Sequence, residues 1–544
     1  FVLASCIPGE TSAPILTRTK LEAERAIPTL RNADFEVITV RLAPLYGLSP
    51  RLRLDCGPNR TCVAQDTGPW RGPALSVNHG AAALRRVIEN GAVDSPINVY
   101  EGVGSAGDSD IVYDSELETA LNEVKSVLNG IDSSSSYYHN AKRLAELRAI
   151  PVDQGGEPAA PRFIPLARPM LGPEEDEAVL EAFRSGWLTS GPQIAAFEKA
   201  FARTVGADHA VAVVSCTAAL HLCLVHAGVG PGDEVITSPI TWASTGNTIL
   251  SMGARVVFAD VEPDTLNIDP AAIERAITPR TKAIVPVHLA GQPADMREIN
   301  AIAAKHGITV VEDAAHALGT TYNGSPIGSG PNFQCFSFYA IKNITTMEGG
   351  AITTRDAAVA QHLRLLAANG MSATAWDRYG RSAAPGPAML AEPGYKYLLG
   401  NVNAAIGLKQ LQKFPEFKRR RAELAALYLE LLRDVPEARP LAIRADRGHA
   451  WHLMIVRLDL PRLGLTRDEV MAALRRENIG TGLHFYGLHL HPYYRDVVGM
   501  RPEELPNATA ASNEIVSLPL YPGMTDADVR HVVDALKKVA TARS

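Results

Sequence analysis

Lys342 is the residue of this sequence best suited to covalent chemistry. It follows the uncharged, largely apolar segment 336–341, and the next charged residue along the chain is Glu348. A lysine held among apolar residues has a lowered pKa, so its neutral amine can attack a carbonyl group and form a Schiff base. The alternative is an ordinary surface lysine, whose stem covers apolar neighbours while its charge stays in water.

Asp313 ends a second predicted strand, Ile308-Thr-Val-Val-Glu-Asp, and His316 follows three residues later. A carboxylate at the end of a strand stays ionised when a cation lies opposite it, and the protonated ring nitrogen of pyridoxal phosphate (PLP) is such a cation. His316 can then contact the ring of this cofactor or its phenolic oxygen. The alternatives are a helix cap for Asp313 and a hydrogen-bonded core imidazole for His316.

Residues that suit the rest of such a cofactor occur at three further places. Thr217 and Ala218 lie in Ser215-Cys-Thr-Ala-Ala-Leu, a predicted strand-to-helix turn whose free N–H groups can bind a phosphate. Ser337 offers a second hydroxyl for the same phosphate. Trp242 follows another predicted strand, where its ring can either stack on a planar cofactor or pack in the core.

Alternating strands and helices are predicted to position these candidates. Short β-branched runs are typical of strands, and the segments between them are typical of helices. The alternation favours a mostly parallel sheet covered by helices, and ligands of such sheets bind beyond the carboxyl ends of the strands. From about residue 405, a long helix leads into a smaller α+β region. The predicted strands are 209–214, 234–237, 255–258, 283–287, 308–313, 336–338 and 351–354, and the predicted helices between them include 217–225, 244–251 and 296–306.

The composition is that of an ordinary folded protein. The 544 residues are 46% hydrophobic and 21% charged, with a formal net charge of −6, so we expect no general attraction to nucleic acid or to an anionic membrane. No apolar run is long enough to cross a bilayer.

The six cysteines include no Cys-x-x-Cys pair, which argues against a metal site and favours reduced thiols in the cytoplasm.

A predicted linker, residues 156–165, divides the chain. The region before it, 1–155, resembles the middle of an extended short-chain dehydrogenase/epimerase in segments such as Val40-Arg-Leu-Ala-Pro-Leu-Tyr-Gly. Lys20 matches the lysine of that family's Tyr-x-x-x-Lys motif, but Leu16 stands in place of the tyrosine. The glycine-rich dinucleotide turn is also absent from this region. We therefore expect a partial Rossmann-like region without NAD-dependent activity.

The chain after the linker resembles the sugar-nucleotide aminotransferases of the DegT/DnrJ/StrS family. The resemblance lies in Ser185-Gly-Trp-Leu-Thr-Ser-Gly-Pro, in Glu312-Asp-Ala-Ala-His-Ala-Leu-Gly and in the segment around Lys342. It implies an α/β chain with the type I PLP-dependent aminotransferase fold. In that fold a large domain with a mostly parallel sheet, here expected at 166–405, precedes a small C-terminal α+β domain, here expected at 406–544.

The same resemblance implies a role for each candidate residue. Lys342 matches the lysine that is bonded to the cofactor, and Asp313 matches the partner of the ring nitrogen. Family members that are dehydratases carry histidine in place of the lysine, so Lys342 favours transamination. The other residues implied to hold PLP are Thr217, Ala218 through its backbone, Trp242, His316 and Ser337.

Four segments are similar to the family's aminotransferases of UDP-4-keto-pentoses: Thr241-Trp-Ala-Ser-Thr, Pro393-Gly-Tyr-Lys-Tyr, His449-Ala-Trp-His-Leu and Gly480-Thr-Gly-Leu-His-Phe. Lys396 stands where the family has an asparagine that reaches the cofactor phosphate of the partner subunit, which implies a homodimer. His484 and His489 match a segment that lines the sugar-nucleotide pocket, although either side chain can equally be structural.

The predicted function is the transfer of an amino group from L-glutamate to a nucleotide-linked 4-keto-sugar such as UDP-4-keto-pentose, with 2-oxoglutarate as the second product. The resemblance also implies that the amino sugar produced is used to modify lipopolysaccharide or lipid A. One alternative is an NAD-dependent sugar-nucleotide epimerase or dehydratase that acts through the N-terminal region. The other is a non-catalytic regulator with the same fold. A regulator that had lost the cofactor would lack the visible absorption of a lysine bonded to PLP.

Overall fold

A computed structural model describes residues 158–380 and 387–541. The predicted dehydrogenase-like region, 1–155, lies outside the described residues, together with Leu16 and Lys20. Within the described ranges, no helix combines the length and hydropathy needed to cross a membrane. The same ranges contain no group of three or more histidine, cysteine, aspartate or glutamate residues placed to hold a metal ion.

Seven strands form the central sheet, which is mostly parallel as predicted. Their order across the sheet is β1-β9-β8-β5-β4-β2-β3, and β9 runs antiparallel to both of its neighbours. The remaining neighbours in the sheet are parallel pairs. In chain order the first nine strands are β1 (His209–Val213), β2 (Glu234–Thr237), β3 (Arg255–Phe258), β4 (Thr281–Val285), β5 (Thr309–Asp313), β6 (Thr321–Tyr322), β7 (Ser325–Pro326), β8 (Phe333–Ser337) and β9 (Gly350–Thr354).

Helices cover both faces of the sheet, which explains why its strands read as continuous apolar runs. In β1, Val211 and Val213 belong to one hydrophobic core while Ala210 and Ala212 belong to the core on the opposite face, because side chains alternate along a strand. The helices in this part of the chain are α1 (Pro173–Ser185), α2 (Pro192–Val205), α3 (Cys216–His226), α4 (Ala243–Ser251), α5 (Pro270–Ala276), α6 (Met296–His306), α7 (Ala357–Ala367), α8 (Ala375–Tyr379) and α9 (Asn401–Leu431).

The C-terminal region has its own small sheet and its own core. Strands β10, β12 and β13 form a three-stranded antiparallel sheet, while β11 pairs with β6 and so extends the short hairpin of β6 and β7. Tyr428 of α9 is fully buried in this core. The elements are β10 (Ala438–Pro440), β11 (Arg447–Gly448), β12 (Met454–Leu458), α10 (Leu460–Leu463), α11 (Arg467–Arg476), α12 (Pro506–Glu514), β13 (Ile515–Leu518) and α13 (Asp526–Thr541).

The long helix begins earlier than the sequence predicts. It starts at Asn401 rather than near residue 405, so the predicted domain boundary at 405/406 falls inside α9. The side chain of Asn401 accepts a hydrogen bond from the N–H of Gln193 at 3.0 Å and donates one to the carbonyl of Trp187 at 2.7 Å. These contacts come from residues more than 200 positions away in the chain, so local sequence could not reveal where the helix starts.

Candidate active site

Asp313 is the last residue of β5 and lies at the carboxyl edge of the sheet, where only 5% of it is exposed. Its Oδ1 accepts a hydrogen bond from the N–H of Ala315 at 3.1 Å, and its Oδ2 accepts one from the hydroxyl of Thr245 at 2.8 Å. Burial raises the pKa of this carboxyl above its usual value, although both donors and the nearby Lys342 oppose the shift. Asp313 is thus a buried acid whose charge is governed by its neighbours.

Lys342 lies in the loop that joins β8 to β9. Two backbone hydrogen bonds close this loop, from the N–H of Phe338 to the carbonyl of Gly349 at 2.8 Å and from the N–H of Thr346 to the carbonyl of Phe338 at 2.9 Å. Burial lowers the pKa of the Lys342 amine to about 8, and the negative charge of Asp313 opposes this shift. A considerable fraction of the amine is therefore neutral, and nucleophilic, near neutral pH.

Helix α3 begins just beyond the carboxyl end of β1, and Ser215 caps it. The Oγ of Ser215 accepts a hydrogen bond from the N–H of Ala218 at 3.1 Å, so this predicted phosphate donor already has a partner inside the protein. The N–H groups of Cys216 and Thr217 come first in the helix, where no intrahelical acceptor exists. Thr217 is also exposed. The backbone donors left at this helix end, those of Cys216 and Thr217, adjoin the predicted Ala218, and the binding of a phosphate here stays a prediction.

The register of the sheet brings Ser337 to the same corner. Gly350, the first residue of β9, lies opposite Val213 of β1 on one side and opposite Ser337 of β8 on the other. A Cβ atom at Gly350 would come within 2.5 Å of the carbonyl carbon of Ser215 and 2.6 Å of the nitrogen of Cys216. Glycine at position 350 thus permits the start of β9 to lie directly against the beginning of α3.

Trp242 stands immediately before α4 and is not packed in the core. It is 65% exposed, although large aromatic side chains normally bury most of their surface. The centre of its ring lies 6.0 Å from that of Phe485, with the two planes tilted by 50°. Trp242 therefore leaves a flat apolar surface open for stacking.

Three imidazole rings interact electrostatically with Lys342: those of His316, His452 and His484. The ring centres of His316 and His452 lie 4.3 Å apart, and His316 also stacks on Phe485 at 5.7 Å. Burial, and then the charge of Lys342, lower the pKa of His484 to about 4. Burial lowers the pKa values of His316 and His452 well below the usual histidine range. All three rings are therefore neutral at physiological pH.

The other two predicted site residues lie elsewhere in the described part of the chain. Lys396 is exposed, in an extended segment that forms a β-bridge with Ala368. His489 is completely buried, and its Nε2 forms a hydrogen bond of 2.9 Å with the hydroxyl of Thr509. Neither residue is thereby brought into contact with Lys342 or Asp313.

Two residues of this site were missed by the sequence analysis. Thr245 donates to Asp313. The Nδ1 of His452 forms a hydrogen bond of 3.1 Å with the Oδ1 of Asn343, the residue after Lys342. Both residues lie in segments that resemble the family, Thr241-Trp-Ala-Ser-Thr and His449-Ala-Trp-His-Leu, so the resemblance held a signal for each of them. Their contacts could not be predicted from local sequence, because each joins distant parts of the chain.

The chemistry of these residues fits PLP. The Nδ1 of His316 is buried and has no hydrogen-bond partner among the described residues, a costly state that a ligand group can relieve. Trp242 offers a surface for the ring, Asp313 a carboxylate for its nitrogen and Lys342 an amine for its aldehyde. The N-terminal end of α3 offers hydroxyl and N–H groups for the phosphate.

Residues 169–537 match the DegT/DnrJ/EryC1/StrS aminotransferase family. The chain belongs to this family. The spore coat polysaccharide biosynthesis protein SpsC of Bacillus subtilis (strain 168) is 47% identical over 378 residues, which are 69% of this chain and 97% of SpsC.

Solved structures of DegT/DnrJ/EryC1/StrS relatives have the same fold. The protein Spr1654 of Streptococcus pneumoniae, described as a sugar aminotransferase, is 30% identical with a TM-score of 0.64, and the match covers 70% of this chain and 98% of that protein. Spr1654 was solved in its PLP form and in its PMP form, that is, with pyridoxamine phosphate. DesI, solved in the presence of its TDP-sugar product, is 34% identical with a TM-score of 0.64, covering 73% of this chain and 97% of DesI.

These relatives confirm the predicted fold class, cofactor and type of enzyme. The described part of the chain has the α/β fold of PLP-dependent sugar aminotransferases. Its cofactor is PLP, and it is a sugar aminotransferase, which transfers a nitrogenous group.

Proposed function

We propose that this enzyme transfers the amino group of L-glutamate to the keto carbon of a nucleotide-linked 4-keto-sugar. The observation that carries the proposal is that Lys342, whose pKa burial lowers to about 8, interacts electrostatically with the buried carboxylate of Asp313. Glutamate loses its amino group and becomes 2-oxoglutarate, while the keto group of the sugar becomes an amine. UDP-4-keto-pentose is the sugar nucleotide we propose, on the strength of the segments 393–397 and 480–485.

PLP, when bound, supplies an electrophilic aldehyde carbon and a ring that accepts electrons. The Nζ of Lys342 takes up and returns a proton, since an amine with a pKa of about 8 is present in both forms near neutral pH. With PLP bound, the carboxylate of Asp313 would serve as the partner of the ring nitrogen, and Trp242 would offer its indole for stacking. The neutral imidazole of His316 would offer its unpaired Nδ1 as a hydrogen-bonding group.

Two relatives support a nucleotide sugar as the amino acceptor. DesI was solved with a TDP-sugar product, and SpsC is named for polysaccharide biosynthesis. His484 is the better placed of the two histidines proposed to contact the sugar, because it interacts electrostatically with Lys342 whereas His489 is buried against Thr509.

The proposal is tested by giving the purified enzyme ¹⁵N-labelled glutamate and UDP-4-keto-pentose, and measuring the mass of the sugar nucleotide. Transfer of ¹⁵N to the pentose supports the donor and the acceptor together. If ¹⁵N is transferred only to another nucleotide-linked 4-keto-sugar, the proposed class of acceptor stands but UDP-4-keto-pentose is rejected. A sugar that stays unlabelled with every nucleotide-linked 4-keto-sugar tried rejects the function.

We also propose a homodimer in which Lys396 approaches the cofactor phosphate of the partner subunit. Tyr395 and Tyr397 stack on each other at 5.3 Å, and their N–H groups donate to the carbonyls of Leu366 and Ala367. Because side chains alternate along an extended segment, Lys396 points away from these two rings. Two large side chains of the Lys342 loop, Tyr339 and Met347, are exposed in the single chain. Such exposed apolar surface is typical of a region that a second subunit covers.

Lys396→Ala is expected to weaken PLP retention by about tenfold, because a charged contact to the phosphate is lost. The sharper test mixes this variant with Lys342→Ala under conditions that exchange subunits. In a mixed dimer one site combines Lys342 of one chain with Lys396 of the other, so activity should rise above that of either variant alone.

Lys199→Ala is the matched control, because Lys199 is also exposed and lies on α2. It should retain PLP as the unchanged enzyme does. Mixed dimers that gain no activity would show that Lys396 serves its own subunit or no site at all.

A further inference from the structure

The carboxylate of Asp313 has two hydrogen-bond donors of different kinds. The donor to Oδ1 is a backbone N–H, that of Ala315, which no ordinary substitution removes. The donor to Oδ2 is the hydroxyl of Thr245, at 2.8 Å. The Sγ of Cys216 lies 3.9 Å from Oδ1 but only 3.2 Å from the carbonyl oxygen of Cys335, which is the nearer acceptor for its single S–H proton. Thr245 is therefore the side chain that donates the close hydrogen bond to this carboxylate.

The direction of the hydrogen bonds around Thr245 is fixed by chemistry. An ionised carboxylate only accepts, so the single proton of the Thr245 hydroxyl must point at Asp313. The Oγ1 of Thr241 lies 2.9 Å from the Oγ1 of Thr245, and with that proton already committed Thr241 must be the donor of this second bond. Both threonines are almost completely buried, at 2% and 1% exposure, so water does not compete for these bonds.

Thr245 also belongs to the turn that carries Trp242. The N–H of Thr245 donates to the carbonyl of Trp242 at 3.1 Å, in the first turn of α4. One residue thus joins the turn that carries the exposed indole to the strand end that carries the acid. The hydroxyl of Thr245 fixes Asp313 relative to Trp242, as a hydrogen bond between buried groups fixes two elements against each other.

We propose that Thr245 is a positioning residue which, with Thr241 behind it, orients the carboxylate of Asp313 and holds it in the ionised form that keeps the PLP ring nitrogen protonated. The proposal rests on the pairing of Asp313 with that nitrogen. Without the Thr245 hydroxyl, Oδ2 loses a donor and Asp313 binds a proton more readily. The proton shared between acid and ring then moves toward the carboxylate, and the ring nitrogen becomes neutral.

The test uses the holoenzyme loaded with PLP that carries ¹⁵N in the ring, whose NMR frequency reports whether this nitrogen is protonated. Thr245→Val removes the hydroxyl at nearly constant volume and should move the resonance toward the unprotonated position. It should also lower kcat by about ten- to a hundredfold, the size expected for a lost hydrogen bond to a charged group. Thr245→Ser keeps the hydroxyl and should restore both values.

Thr248→Val is the matched control. Thr248 is buried on the same helix, and its hydroxyl bonds at 3.0 Å to the carbonyl of Thr245 rather than to Asp313. It should leave the ring-nitrogen resonance in place even if it lowers the thermal stability of the protein. A resonance that is equally unmoved in Thr245→Val and Thr248→Val would overturn the proposal, as would a failure of Thr245→Ser to restore it.

Two further variants separate the possible failures. If Thr245→Val does not fold, Thr241→Val leaves the Thr245 hydroxyl without its donor and should shift the resonance less, in the same direction; no shift overturns the proposal. Asp313→Asn tests the underlying pairing by itself. A resonance that moves in Asp313→Asn but not in Thr245→Val rejects the role of Thr245 alone, whereas no movement in Asp313→Asn rejects the pairing and the role of Thr245 with it.

Discussion

Lys342→Ala is expected to abolish amino transfer, with kcat reduced by about 10⁴-fold or more, because both the nucleophile and the proton carrier are lost. The variant should still bind PLP through Asp313, Trp242 and the beginning of α3, but without a covalent bond. Borohydride reduction of the unchanged holoenzyme followed by peptide mapping should place the pyridoxyl group on Lys342. The control Lys199→Ala should be labelled and active like the unchanged enzyme, and a label on any other lysine would contradict the assignment.

The pH dependence of cofactor loading is part of the same expectation. Burial favours the neutral amine of Lys342, so the cofactor-free protein should react with PLP faster as the pH rises through about 8 and then reach a plateau. Stopped-flow absorbance measures this rate directly. A rate that keeps rising toward the ordinary lysine pKa of 10.5 would mean that the amine is not shifted, and Lys342→Ala should show no such absorbance change.

Asp313→Asn is expected to reduce kcat by about 10²-fold or more, because the ring nitrogen loses the charge that keeps it protonated. The folded structure should survive, since the two side chains have almost the same shape. Steady-state kinetics and thermal unfolding on the same samples separate these two effects.

The control for Asp313→Asn is Asp356→Asn. Asp356 caps α7 through hydrogen bonds from the N–H groups of Ala358 and Val359. Asparagine caps a helix about as well as aspartate, so the control should keep both its activity and its stability. If Asp313 served only as a cap, Asp313→Asn would behave in the same way and keep kcat within about threefold of the unchanged enzyme.

Much of the sheet could be predicted from the sequence because its strands are buried on both faces. Predicted strands at 234–237 and 255–258 agree with β2 and β3, and the predicted helix 296–306 agrees with α6. The strand predicted to end at Asp313 does end there, as β5. Asp313 could be proposed from local sequence, because the carboxyl end of a buried strand is where such sheets bind ligands.

The parts that could not be predicted depend on contacts between distant segments. Thr245 reaches Asp313 across 68 positions in the chain, and His452 reaches Asn343 across 109. Both contacts exist only once the strand order and the packing of the helices are set. Local sequence can place Thr245 near the start of a predicted helix, but it cannot show which acid its hydroxyl will meet.

A single-turnover experiment tests the central claim most directly. The enzyme is first incubated with ¹⁵N-labelled glutamate, then freed of unbound glutamate, and finally mixed with UDP-4-keto-pentose. We predict one molecule of ¹⁵N-labelled amino sugar nucleotide for each molecule of cofactor, with the cofactor absorbance returning to its starting spectrum, and neither result with Lys342→Ala. Label that remains on the protein while the keto-sugar is unchanged would contradict the account.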